Sequence, residues 1–161
     1  MARLSKNHYV NNKKFLETLI AYKELVAKHK AEDKQKPQIP NYVGECLILI
    51  ANRLASKPNF SGYSFKDEMV SDGIEDCIKY LDNFDPLKGT NPFAYFTQFI
   101  WNAFIRRIQK EKKQLYIKMK NLEHSYSQED IENISRDKAR PKMTENYNDY
   151  ITQWEMNKAK K

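Results

Sequence analysis

The sequence has little glycine, proline, cysteine and histidine, and each shortage narrows the class of protein. Only 4 glycines and 6 prolines occur in 161 residues, and short periodic apolar segments run between them. This pattern favours an all-α fold. Cys46 and Cys77 lie on apolar helix faces, so we expect buried free thiols rather than a disulfide. The 3 histidines are far apart, so we expect no metal site.

Long apolar runs are missing too. No segment approaches the length that spans a membrane, and the N-terminus lacks the apolar core of a signal peptide. We therefore expect a soluble, cytoplasmic protein with no membrane partner. Glycine-rich phosphate loops and a GxSxG motif are absent, and no acid–base pair stands out among the carboxylates. The sequence predicts a binding protein without a cofactor, not an enzyme.

Apolar residues at helical spacing predict four main helices, of which the first can be capped by Asn11 or Asn12 and the last by Asn91. These helices are expected over residues 12–30, 41–56, 65–81 and 91–120. The resulting division is an N-terminal helix and linker (1–40), a helical core (41–120) and a partly flexible, helical C-terminal tail (121–161).

Two smaller segments leave alternatives open. Residues 58–63 are predicted as a loop whose Phe60 and Tyr63 either fill the core, the preferred interpretation, or face a partner. In the tail, short helices are predicted over 127–134 and 144–154. The aromatic stripe of the last one either docks back on the domain or binds a partner.

Positive charge is concentrated in one place. The chain has 28 Lys and Arg against 21 Asp and Glu, a net charge of +7. Residues 106–120 alone carry seven basic residues and one acid, and they directly follow an aromatic-rich segment, residues 95–104. A charge run is usually only a solvated face. Because this basic run lies beside aromatic residues, we favour nucleic-acid binding over a merely solvated face.

The stretch 65–114 resembles region 2 of bacterial sigma factors, the promoter-specificity subunits of RNA polymerase. The matching positions keep their spacing without a gap: Glu68, Gly73, Lys79, Asp82, Phe84, Gly89, Tyr95, Thr97, Ile100, Ala103 and Arg106. More closely, the chain resembles the sigma factors for late transcription of T4-like phages, over roughly residues 8–120. That closer likeness rests on three segments: 9–13, 59–63 and 91–92. The resemblance implies a sigma region 2-like helical bundle.

The third predicted helix carries the expected protein-binding surface. Its mixed acidic and apolar face suits a basic helical partner, with carboxylates steering and apolar residues anchoring. The resemblance implies that this partner is the clamp coiled coil in the largest subunit of core RNA polymerase. The predicted polymerase-binding residues are Glu68, Met69, Ser71, Asp72, Glu75 and Ile78. Ile74 stands where the family usually has a polar residue.

The fourth helix carries the expected DNA-binding surface. Aromatic rings can stack on unpaired bases while nearby cations hold phosphates. The resemblance implies that Tyr95 captures a flipped adenine of the −10 element. Gln98 stands where the family has tryptophan, and Asn102 where it often has glutamine. The predicted DNA-binding residues are Tyr95, Gln98, Phe99, Asn102, Arg106, Arg107 and Lys110.

The resemblance thus implies a phage late-transcription sigma factor in the host bacterial cytoplasm. It would direct core RNA polymerase to AT-rich, −10-type late promoters. The 41 residues of the tail are too short for a second DNA-reading module. Whether they bind a sliding clamp or a co-activator stays open. Two alternatives remain: a free-standing DNA-binding regulator, and an adaptor that binds polymerase only.

Overall fold

The computed structural model describes residues 9–125, and this part of the chain is all-α, as predicted. It contains five helices, one short 3-10 turn and no strand. The elements are α1 (Asn12–Ala31), α2 (Asn41–Ala55), α3 (Pro58–Ser61), α4 (Lys66–Lys79), the 3-10 turn (Leu81–Asn83) and α5 (Pro92–Ser125). The four long helices lie where the sequence predicted them. The tail helices predicted over 127–134 and 144–154 lie outside the described residues.

The chain divides into two compact units, residues 1–107 and 108–161. The first unit holds α1 to α4 and the start of α5. Within it, α1 and α4 both pack on α2, which buries seven side chains. In the second unit, Ile108 and Met119 of α5 are buried.

Asparagine side chains fix the starts of α1 and α5, as the sequence predicted. Asn11 Oδ1 accepts a hydrogen bond from the Lys14 backbone N–H at 3.1 Å. Asn91 Oδ1 accepts one from the Ala94 N–H at 3.0 Å. Asn12 links the start of α1 to the start of α5. Its amide nitrogen donates to Asn91 Oδ1, and its amide oxygen accepts from the Phe93 N–H, both at 3.1 Å. Such caps satisfy N–H groups that have no partner within the helix.

The segment 58–63, predicted as a loop, contains the four-residue helix α3. Pro58 opens it at a position where a missing N–H costs nothing. Phe60 is buried, and its ring lies 4.8 Å from that of Trp101 and 5.1 Å from that of Phe104. The preferred interpretation of Phe60 as a core residue is therefore confirmed. Tyr63 is half-buried beside the Phe65 ring.

A glycine lets α4 and α5 approach closely. A Cβ atom at Gly73 would lie 3.0 Å from Ile100 Cγ2 and 3.2 Å from Phe104 Cε1. One turn further along α4, Cys77 is buried against the Phe96 backbone carbonyl. Burial, with a smaller contribution from Asp76, raises the pKa of the Cys77 thiol to about 12. This contact fixes the side-by-side position of α4 and α5 within residues 1–107.

The connection between α4 and α5 is held by hydrogen bonds at both ends. The Lys23 ammonium of α1 donates to the backbone carbonyls of Asp82 and Phe84. Asp85 then forms a tight turn, since its side chain accepts from the Leu87 N–H at 3.0 Å and its carbonyl from the Gly89 N–H at 2.9 Å. These bonds hold the connection from Asp82 to Gly89.

The structure also bears on the two cysteines and on membrane-spanning helices. Cys46 and Cys77 are buried free thiols, as predicted. No helix within residues 9–125 is both long and apolar enough to cross a membrane.

Candidate nucleic-acid and protein interfaces

Four of the predicted DNA-binding residues lie in one row along α5. Tyr95, Phe99, Asn102 and Arg106 recur every three or four positions, which places them on the same side of a helix. We call this set the α5 stripe. Tyr95 and Phe99 are half-buried, whereas Asn102 and Arg106 are exposed. The stripe therefore presents aromatic surface, an amide and a guanidinium in sequence along one line.

Gln98 flanks the stripe and supports it. Its amide nitrogen donates to Asn102 Oδ1 at 3.0 Å, and both side chains are exposed. The bond engages the Oδ1 atom of Asn102 and not its NH₂ group. An oriented side-chain amide is a suitable group for the edge of an adenine.

The Tyr95 ring packs against three other aromatic rings. Its ring centroid lies 5.0 Å from that of Phe84, 5.1 Å from Phe96 and 4.9 Å from Phe99. Phe84 and Phe96 are fully buried. Burial raises the pKa of the Tyr95 hydroxyl above its ordinary value. Tyr95 is thus a fixed aromatic platform that is partly core and partly surface.

The two predicted DNA-binding arginines both pair with carboxylates of α4. Arg107 Nε donates to Asp72 Oδ2 at 2.7 Å, and a second guanidinium nitrogen donates to Asp72 Oδ1 at 2.9 Å. The Arg107 side chain is only 18% exposed. Arg106 pairs with Asp76 but remains 61% exposed. Arg106 is therefore the more accessible cation, and Arg107 also has a structural role that the sequence did not predict.

Most of the predicted polymerase-binding face of α4 is open to solvent. Glu68, Ser71 and Glu75 are exposed, and Ile78 is 46% exposed although it is apolar. A shallow depression on this face is lined by Ser71, Ile74, Glu75, Ile78 and Lys79. An apolar patch with charged residues at its rim is the composition expected of a protein-binding surface. We call these five residues the α4 face.

The prediction that Met69 belongs to this surface was wrong. Met69 has no exposed surface and lies in the core with Gly73 and Cys77, one and two turns further along α4. The residues at positions i, i+4 and i+8 form the buried side of the helix. Met69 can support the face from behind, but it cannot touch a partner.

Lys110, the last predicted DNA-binding residue, belongs to the second unit. It is exposed and lies on the part of α5 that follows residue 107. Within residues 9–125, no group of three His, Cys, Asp or Glu side chains is placed to hold a metal ion.

Sequence reasoning missed Tyr80. It follows the last residue of α4 and is 39% exposed, with its ring 5.6 Å from that of Phe99 and inclined to it by 33°. The spacing of Asp72, Asp76 and Tyr80 was the available signal, because residues four apart lie on one side of a helix. All three contact α5.

No protein-family model and no curated protein matches this sequence.

Proposed function

We propose that this chain is a sigma-type promoter-recognition subunit that serves late transcription in a phage. In this proposal it binds host core RNA polymerase in the bacterial cytoplasm and directs it to AT-rich, −10-type promoters. The polymerase supplies the chemistry, and the chain acts by binding. The observation that carries the proposal is the α5 stripe, in which Tyr95 and Phe99 adjoin Asn102 and Arg106 on one side of one helix.

The stripe supports the DNA half of the proposal through its chemistry. Stacking of an unpaired base on an aromatic ring is worth about 1–3 kcal/mol, while taking a base out of the duplex costs a few kcal/mol. One captured base on Tyr95, together with a phosphate contact from Arg106, therefore supplies a free energy of the same order as the cost of local opening. The amide of Asn102 adds a means of favouring adenine over other bases.

The α4 face supports the polymerase half. Glu75 offers negative charge and Ile78 offers apolar surface, both exposed on the same helix. A basic helical partner such as the clamp coiled coil of the largest polymerase subunit would be steered by the first and anchored by the second. A DNA-binding regulator that acts without polymerase would have no need for this face.

Binding to core polymerase is the direct test, and the chain offers a matched control. Glu75→Lys with Ile78→Ala changes one exposed acid and one exposed apolar residue of α4. Glu24→Lys with Leu25→Ala changes one exposed acid and one exposed apolar residue of α1, where Leu25 is 44% exposed. We expect the wild type and the α1 variant to co-elute with core polymerase and the α4 variant to elute alone, with all three equally helical by circular dichroism.

The outcomes separate the alternatives. Absence of wild-type co-elution, with retained DNA binding, would favour the free-standing regulator. Co-elution without any contribution of the chain to promoter binding would favour the adaptor. Equal loss in both double variants would remove the α4 face from the proposal. The tail, of which the structure describes only residues 121–125, remains the segment proposed for a sliding clamp or co-activator.

A further inference from the structure

Tyr80 lies next to the α5 stripe and extends its aromatic surface onto a second element. Phe99 stands between two tyrosines, with its ring centroid 5.6 Å from that of Tyr80 and 4.9 Å from that of Tyr95. The three rings form a continuous row from the end of α4 to the first turns of α5. Tyr80 is 39% exposed. The row therefore ends in a ring with free surface.

The position of Tyr80 is fixed by the backbone as well as by Phe99. Its N–H donates to the carbonyl of Asp76 at 3.0 Å, and its carbonyl accepts from the N–H of Asn83 at 3.1 Å. Asp76, one turn earlier on α4, holds Arg106 of the stripe. An aromatic ring held in place on a stiff element loses little entropy on binding, which favours its use as a stacking platform.

We propose that Tyr80 is a second stacking platform, which receives the unpaired base next to the one held by Tyr95. The inference rests on the proposed function and deepens it, since it makes the bound ligand two neighbouring unpaired nucleotides. One ring separates the two tyrosines, so nucleotides adjacent in an extended strand can each contact one of them. Exposed cations flank the row, Lys79 beside Tyr80 and Arg106 along α5, and these suit the phosphates of that strand.

The test uses short single-stranded DNA in which an abasic site replaces each nucleotide in turn. Binding is measured by fluorescence anisotropy for the full chain, both alone and with core polymerase. The wild type should lose affinity at two neighbouring abasic positions. Tyr80→Ala should bind the intact strand about tenfold more weakly and become insensitive to one of those positions, while keeping its sensitivity to the other. Tyr95→Ala should show the reverse pattern, and Tyr80→Phe should behave like the wild type.

Tyr63 provides a matched control. Its ring lies 5.0 Å from that of Phe65 at an inclination of 33°, nearly the geometry of Tyr80 on Phe99. Tyr63→Ala should leave the abasic pattern unchanged.

Three results would overturn the inference. If Tyr80 only supports Phe99, Tyr80→Ala will weaken binding while both abasic positions keep their effects. If Tyr80 has no part in binding, the Tyr80→Ala variant will bind the intact strand with the same affinity as the wild type. Either result leaves the proposed function intact as long as Tyr95→Ala abolishes the effect of one abasic position on binding. A chain that binds no single-stranded DNA, alone or with polymerase, contradicts the proposed function and the inference together.

Discussion

Asp72 of α4 and Arg107 of α5 form a two-bonded ion pair, with N–O distances of 2.7 and 2.9 Å. The sequence assigned the carboxylate to a polymerase contact and the guanidinium to a DNA contact. The structure brings the two groups together, so a substitution of either one affects both predicted surfaces. A charge change at Asp72 disturbs the α4–α5 contact as well as the exposed face beside it.

We expect this pair to stabilise the fold. Exposed ion pairs contribute little, but Arg107 is largely buried and makes two hydrogen bonds to Asp72, so losing either member should cost more than losing an exposed pair. Asp72→Asn and Arg107→Gln should each lower the free energy of unfolding by about 1–2 kcal/mol. The double variant should lose clearly less than the two single losses combined. Urea denaturation of the four proteins measures this coupling, and strictly additive losses would show that the pair contributes nothing.

Gly73 and Gly44 should respond in opposite ways to alanine. Both lie inside helices, where alanine is favoured over glycine by about 0.5–1 kcal/mol. A Cβ at Gly44 would meet no atom within 4 Å, so Gly44→Ala should stabilise the protein by roughly this amount. A Cβ at Gly73 would meet Ile100 and Phe104 at 3.0–3.2 Å, so Gly73→Ala should destabilise it by about 1–3 kcal/mol. Thermal unfolding of both variants checks the prediction, and a rise in Tm for Gly73→Ala would show that α4 and α5 can separate freely.

Arg106 should contribute to DNA binding through its charge. Arg106→Ala should weaken binding of promoter DNA and reduce the slope of log affinity against log salt by about one. Asp76→Asn, which removes the paired carboxylate, should leave that slope at least as steep as in the wild type. Lys28→Ala removes an exposed cation of α1 and serves as the control. The prediction fails if the Arg106 and Lys28 variants have the same salt dependence.

The sequence predicted the helices well because each long helix has a clear apolar face, and two of them, α1 and α5, also begin at a capping asparagine. Asn11 and Asn91 illustrate this, since both cap the helices predicted from them. The sequence could not show which residues of α4 face inward. Met69 and Ile78 are both apolar, yet one is buried and the other is 46% exposed. Nor could it reveal that Arg107 pairs with Asp72, because that contact joins residues 35 positions apart.

Promoter opening by a Tyr95→Ala variant tests the central claim most directly. Phe93→Ala is the matched control, because Phe93 is also a half-buried aromatic at the start of α5 but lies outside the stripe. Both variants should lose some stability through lost packing. Permanganate reactivity of unpaired thymines is compared on duplex promoters and on promoters already unpaired across the −10 element, at a temperature where all proteins are folded.

We predict that Tyr95→Ala lowers opening of the duplex promoter about ten- to a hundredfold, which corresponds to a lost stacking energy of about 1–3 kcal/mol. Most of the defect should disappear on the pre-melted promoter, while Phe93→Ala opens both templates like the wild type. Equal defects of Tyr95→Ala on both templates, or the same defect in Phe93→Ala, would contradict base capture by Tyr95 and leave it a packing residue.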